Sequence, residues 1–427
     1  MRVRTLTRRG FLRGAAAMAL VPAAAACAEA PAATSGPVTV EMWHGQSDTG
    51  LKVLKQLVAA FQREHPDIRI DLGGGVLADA MLQKVTAALA SGSYPDIAYI
   101  FGSDLASIAR SPRVADMGDV VNDGTQFWKP ALEAVTVNER VRAVPAMLDS
   151  LAVACNKKLF QQHGVPLPDE SWRWPDFVTT AKKLTNRDQG QFGTAWPGAG
   201  DEDTVWRLWP MIWDLGGTIV GQDGRSIGFA DSGVRALEVI RNLAADRSVY
   251  IDPKPGSEQM YQAFASGRIA MVPTGPWQLP DIADAGIDYQ IVPLPTFTGK
   301  PITISGPDTW TVFDNGDRRL AAAKTFLRWL TAPKQDVVWD VGAGSLPLSA
   351  GSQRLPEWQQ KTQDTAGLSV FVKSLDNSHV RANHPAYPQV SQAVAAAIVS
   401  VLLGRATPAD AMRDCASAAN AALIIPR

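Results

Sequence analysis

"VTVEMWHGQSDTGLKVLKQLVAAFQREHPDIRIDL" (residues 38–72) decides the class of fold. Val38 to Gly45 reads as a strand. Leu51, Leu54, Leu57, Val58 and Phe61 then recur at helical spacing, Pro66 marks the stop, and "IRIDL" is a second strand. A glycine loop at 73–76, the helix "DAMLQKVTAALASG" and the strand "DIAYIFG" continue the alternation. Strands alternating with helices predict an α/β protein with parallel strands and crossovers. In such sheets ligands gather at the carboxyl ends of the strands.

Working toward the amino terminus, "LTRRGFLRGAAAMALVPAAAAC" pairs Arg8 with Arg9 behind Thr7 and becomes a small-residue apolar run ending at Cys27. The run is shorter than the ~20 residues of a membrane-spanning helix, and it reads as a twin-arginine export signal. Ala24 to Ala26 before Cys27 resemble a lipobox, with alanine where leucine is usual; cleavage there would leave a lipidated Cys27. The alternative is an ordinary signal-peptidase site that releases the chain. The Pro/Ala/Ser/Gly stretch that follows suits a flexible tether, so residues 1–36 are expected to lie outside the fold.

About 390 remaining residues exceed what one core supports, which predicts two lobes. With 41 basic and 42 acidic residues the formal net charge is -1, which gives no long-range field for nucleic acid. Cys155 and Cys415 lie in apolar segments and read as buried free thiols, a disulfide being the alternative in an exported chain. Five histidines are scattered without metal-ligand spacing. "GQSDTG" is not a nucleophile elbow, and no dinucleotide fingerprint or P-loop is present. No catalytic residue, metal or cofactor is therefore expected.

Further along, "SLAVACNKKLF", the tryptophan-dense "WRLWPMIWDLGG", "RIAMVPTGPWQLPDI" and "ITISGPDTWTVF" repeat the mixed pattern. "RRLAAAKTFLRWLTAP" reads as a helix with Phe326, Leu327 and Leu330 facing inward. Two helices close the chain, the last capped by Thr407 with Pro408 at its first position. In order, "EMWHGQSDTGLKVLKQLVAAFQREHPDIRIDL", "YPDIAYIFGSDLASIA", "AVPAMLDSLAVACNKKLF", "AFASGRIAMVPTGPWQLPDI" and the pair "AAAKTFLRWLTAP" and "GSLPL" resemble the family 1 extracellular solute-binding proteins of ABC importers, the maltose-binding-protein-like group. The resemblance spans residues 38–427. It implies a two-lobe periplasmic-binding-protein-like fold, with 38–147 plus 303–348 in one lobe and 150–300 plus 352–427 in the other. Hinge crossovers near 146–152, 300–304 and 347–353 would join the lobes around a ligand cleft. It also implies a monomer, lipid-anchored on the outer face of the cytoplasmic membrane, that hands a small carbohydrate to permease subunits.

A sugar presents a flat C–H face and a rim of hydroxyls, so it needs an apolar plate beneath and hydrogen-bonding groups beside. The resemblance places Trp277 in the stacking position; the plainer reading is a core tryptophan anchoring a turn. Trp206, Trp209 and Trp213 share a helical face interrupted by Pro210, which assigns Trp206 to the cleft and Trp213 to the interior. Trp43, Trp196 and Trp310 are open between cleft and core. Carboxylates accept several hydrogen bonds each. Asp149 stands where the similar family places a sugar-binding acid, while Asp48 and Asp104 follow strands and read equally as helix caps. Asp308 lies beside Gly306, whose missing side chain admits a ligand to the backbone. Arg381 offers a fork of donors to a ligand oxygen or phosphate, or pairs with a surface acid. The leading reading is capture of a sugar, a mono- or oligosaccharide or an amino sugar, for import. The alternatives are a glycerophosphodiester ligand and, from another class, a cell-surface glycoside hydrolase, which aromatic plates and paired carboxylates would also serve.

Overall fold

The computed structural model describes residues 36–424 apart from 47 and 74–77. Cys27, the export signal, the tether and most of the glycine loop at 73–76 lie outside the described residues, as does the side chain of Asp48. One compact unit spans Pro37–Arg427.

Two five-stranded sheets organise that unit. The first runs, edge to edge, Ile68–Gly73, Val38–Trp43, Ile97–Phe101, Asp308–Val312 and Val144–Met147. The second runs Tyr289–Pro293, Ala152–Asn156, Ile269–Thr274, Phe192–Pro197 and Val249–Asp252. The expected parallel pairing holds where strand, helix and strand follow one another: 38–43 pairs parallel with 68–73 and 97–101, and 192–197 with 249–252 and 269–274. Elsewhere the sheets are mixed, a departure from the parallel expectation. Strand 308–312 is antiparallel to both its neighbours, and so is 152–156. Both follow the chain's passage from one sheet to the other. A strand arriving from the cleft runs away from it, whereas parallel strands fed by helices run toward it.

Alternation and spacing explain the local elements. In the helix Asp48–Glu64, Val53, Leu54, Leu57, Val58 and Phe61 are buried, and Leu51 is half-buried at the edge of that stripe. Phe61 meets Phe326 and Trp329 of the helix Asp317–Leu330 edge-on. The last helices, Tyr387–Leu402 and Pro408–Leu423, pack on each other, and Thr407 accepts the Asp410 N–H at 3.2 Å as the cap. Cys155 and Cys415 are both buried and unbonded to each other.

Two chain segments pass from one five-stranded sheet to the other, between strands 144–147 and 152–156 and between strands 289–293 and 308–312. Leu148 accepts the Leu346 N–H at 2.8 Å, which ties the first segment to the residues after the helix Pro333–Ala343. In the second segment, Thr303–Ile304 pairs in parallel with Ser378–His379. After residues 347–353 the helix Pro356–Asp364 packs back on Pro333–Ala343, and the next helix, Leu368–Ser374, packs on the strand 289–293.

Candidate functional site

The mixed pairing brings two kinds of strand end together. Parallel strands deliver their carboxyl ends, and the passing segments deliver the first residues of the strands they feed. Between these ends lies a cavity of about 340 Å³. Phe101 comes from the end of strand 97–101, Met147 and Asp149 from the first passing segment, Gly306 and Asp308 from the second, and Trp277 from beyond strand 269–274. Cavities elsewhere include one of about 150 Å³ beside Arg173 and Lys373, and a groove of about 1270 Å³ beside Asn138 and His384. Neither has an indole in its wall.

Trp277 sits in a single 3₁₀ turn, Pro276–Gln278, begun by Gly275 and Pro276. Its ring folds back over Gly275, where a Cβ would lie 1.8 Å from Trp277 Cζ3. Only glycine permits that fold, because no side chain shares the space of an aromatic ring. Trp277 is half-buried, and its ring centroid is 5.8 Å from that of Trp206 at a 35° tilt. Trp206 is 6% exposed and presents its Cζ3 edge 3.4 Å from where a Gly306 Cβ would stand. The two rings make a tilted apolar wall.

The polar groups are more entangled than the sequence implied. Asp149 Oδ1 accepts the Gly306 N–H at 2.6 Å, while its backbone carbonyl accepts the Ser305 hydroxyl at 2.7 Å. Burial pushes the Asp149 carboxyl up to about 6, against the opposing pull of the Gly306 N–H and Arg381. The Tyr99 hydroxyl donates to Asp308 Oδ2. Arg381 is buried and pairs through Nη1 with Glu202 Oε1 at 2.9 Å. Glu202 is held in turn by the hydroxyls of Tyr387, at 2.6 Å, and Ser391. Burial opposes the Arg381 charge, but Glu202, Tyr387 and Asp308 together outweigh it and keep the guanidinium above its usual range. Asp203 accepts from Arg207 Nη1 at 2.8 Å and from the Ser257 hydroxyl.

Six expected residues therefore meet in one cavity wall: Trp277, Asp149, Trp206, Gly306, Asp308 and Arg381. Asp104 does not line it. It ends a 3₁₀ turn, and its side chain caps no helix. Burial raises its carboxyl to about 7, with Glu202 adding to the rise and Arg381 opposing it. The surface acid considered for Arg381 is replaced by a part-buried one. Trp213 departs from its interior assignment: it is half-buried, stacking on Trp209 and on His379 with ring centroids 6.3 and 5.3 Å away. The helix containing these tryptophans breaks after Trp206 and restarts at Trp209 with Pro210 in its first turn, so the shared face is divided. Trp196 and Trp310 are core residues, and Trp43 stays outside the wall, donating to Glu41 Oε1 at 2.7 Å.

Sequence reasoning missed Glu202, Asp203, Tyr99, Phe101 and Gln46, all in the wall. One signal existed for two of them. Asp201, Glu202 and Asp203 stand in a row ahead of Trp206, and the cap needs only Asp201, which accepts the Thr204 N–H at 3.1 Å. Among the described residues no His, Cys, Asp and Glu group is arranged to hold a metal ion, and no helix is long and apolar enough to cross a membrane.

Comparisons with known proteins agree with this architecture. The family model for bacterial extracellular solute-binding proteins matches residues 44–337. A maltooligosaccharide ABC transporter solute-binding lipoprotein of Streptococcus pneumoniae is 22% identical over 83% of this chain and 83% of its own. The GacH receptor of Streptomyces glaucescens, solved unliganded and with acarbose, superposes with a TM-score of 0.80 at 22% identity, over 91% of this chain and 99% of its own. UgpB of Mycobacterium tuberculosis, solved with glycerophosphocholine, gives 0.79 at 20% identity over 91% and 98%. Two α/β lobes joined by crossing strands are the maltose-binding-protein-like fold, and the chain belongs to the bacterial extracellular solute-binding protein family.

Proposed function

We propose that this protein captures a carbohydrate at the cavity between its lobes and delivers it to the permease of an ABC importer. The observation that carries the reading is the wall itself: Trp206 and Trp277 form an apolar plate, flanked by Asp149, Asp308 and Glu202 as acceptors. A sugar ring needs that combination. At about 340 Å³ the cavity stands at the small end of ligand sites, roughly 300–1,000 Å³, which favours one or two rings over a long oligosaccharide. The roles of Trp277, Asp149, Trp206, Gly306, Asp308 and Arg381 as ligand contacts belong to this proposal, and Asp104 acts through Glu202 and Arg381 from outside the wall.

The same reading takes 38–147 plus 303–348 as one lobe and 150–300 plus 352–427 as the other, closing on a hinge formed by the passing segments. It takes Cys27 as the lipid attachment point after twin-arginine export, and the mature chain as a monomer tethered to the outer face of the cytoplasmic membrane. No turnover is expected. Arg381 already neutralises Glu202, which weighs against a phosphodiester ligand, since a phosphate would face the remaining acids.

Thermal-shift screening of mono- and disaccharides, amino sugars and glycerophosphodiesters tests the reading. Stabilisation by a sugar with no glycoside cleavage supports it. Sustained release of product from a glycoside would move the protein to the hydrolases, and stabilisation by phosphodiesters alone would refute carbohydrate capture.

A further inference from the structure

The cavity wall is unbalanced in charge and in hydrogen-bonding character. Asp149, Glu202, Asp203 and Asp308 line it, against a single guanidinium, that of Arg381. That guanidinium is committed to Glu202 at 2.9 Å, and Asp203 is matched by Arg207 from behind the wall at 2.8 Å. Asp149 accepts a backbone N–H from Gly306, and Asp308 accepts the hydroxyl of Tyr99. Each carboxylate still has acceptor capacity, because a carboxylate offers about four lone-pair sites. The donors beside them are the Trp206 indole N–H, which is buried without a partner, and the amide of Gln46. Tyr99, the one hydroxyl of the wall, already donates to Asp308.

The apolar part of the wall is mostly aromatic: Tyr99, Phe101, Trp206 and Trp277, with Met147 beside them. Ring faces attract cations as well as C–H groups. An acceptor-rich, aromatic cavity fits a guest rich in donors and positively charged. An ammonium group, with three N–H donors and no acceptor, is that guest's distinguishing part.

We propose that the carbohydrate bound here is an amino sugar, a hydroxylated ring whose protonated amine lies between Asp149 and Asp308 against the indoles of Trp206 and Trp277. This rests on the carbohydrate reading and narrows it. Burial disfavours the Asp149 charge, which the Gly306 N–H and Arg381 already support, and a guest cation would add to that support. A neutral sugar would use the same indole and amide donors but brings no charge to offset the excess of carboxylates over guanidinium in the wall. A choline head carries the cationic feature too, but arrives with a phosphate that the acids oppose.

Calorimetric titration of the exported chain at about pH 7, where a sugar amine is still largely protonated, compares glucosamine, N-acetylglucosamine, glucose and glycerophosphocholine. The expected result is glucosamine binding about tenfold more tightly than glucose or N-acetylglucosamine. Asp149→Asn keeps an acceptor for the Gly306 N–H and removes the charge, so the preference for glucosamine should shrink to about twofold. Neutral sugars binding as tightly as glucosamine, or a preference unchanged in Asp149→Asn, would overturn the amino-sugar assignment and leave carbohydrate capture standing. Glycerophosphocholine binding more tightly than glucosamine would overturn it in favour of the phosphodiester. Binding of none of the sugars would overturn the carbohydrate reading, and this inference with it.

Discussion

Gly275 and Gly306 have ordinary backbone conformations and owe their identity to close neighbours. At Gly275 the neighbour is the Trp277 ring; at Gly306, Arg381 Nη2 would lie 3.1 Å from a Cβ and Asp149 Oδ1 3.4 Å. Gly275→Ala should swing the indole out of the wall. The expected outcome is an affinity loss of at least about tenfold with a stability cost of only about 1–3 kcal/mol, read by titration and by chemical denaturation. Arg381 makes the opposite prediction. Removing it strands Glu202 in a part-buried site, so Arg381→Met should cost about 3–5 kcal/mol in denaturant unfolding. Much of this was legible: a tryptophan after a strand and a glycine, and an acid at a strand start, are short-range features. The pairing of Arg381 with Glu202 was not, because the partners are 179 positions apart and nothing local in either sequence marks the other. Tyr99 and Phe101 were hidden for another reason. Both sit in an apolar strand, and only its last turn of alternation distinguishes a residue in the core from one at the cavity.

The helix Pro333–Ala343 carries a feature its sequence pattern conceals. Asp336 and Asp340, one turn apart, are both buried. Asp336 accepts the Leu348 N–H at 3.0 Å and Asp340 accepts the Ser345 hydroxyl at 2.7 Å, so the pair holds residues 345–348 against the helix. The helix ends at Gly344, whose φ of +80° suits glycine. A Cβ there would lie 3.0 Å from Trp277 Cα, so this helix end braces the Trp277 turn. Burial raises Asp336 to about 7. Burial also raises Asp340, with the Asp336 charge adding to it. The folded state thus holds these protons more tightly than the unfolded chain. Stability associated with the pair is complete at low pH and falls as pH rises from about 4 toward 7 and beyond. Asp340→Asn removes one of the two titrations. Its midpoint of thermal unfolding should exceed the parent's at about pH 8 and approach it at about pH 4; a constant difference across that range would contradict the assignment. A pattern of i and i+4 acids ordinarily signals a solvated face, which is why nothing in the spacing warns of a buried pair.

Across the whole molecule, the alternation of strands and helices announced the α/β class, and the order of segments announced two lobes. The antiparallel entry of strands 152–156 and 308–312 was not visible, since direction within a sheet depends on which lobe the preceding segment has left. That entry positions the site, because it sets Asp149 and Gly306 opposite the carboxyl ends of the parallel strands. One further contact bridges distant parts of the chain: Asn383 Nδ2 donates to the Thr136 carbonyl. A ligand held between the lobes should stabilise the folded molecule by about 2.7 kcal/mol at 100-fold excess over its Kd, measurable as a shift in the denaturation midpoint. The account turns on the aromatic wall. Calorimetric titration of the sugar that stabilises the parent chain, repeated with Trp277→Ala, tests it most directly. An affinity at least about tenfold weaker in the variant is the predicted result, and an unchanged affinity would contradict the account.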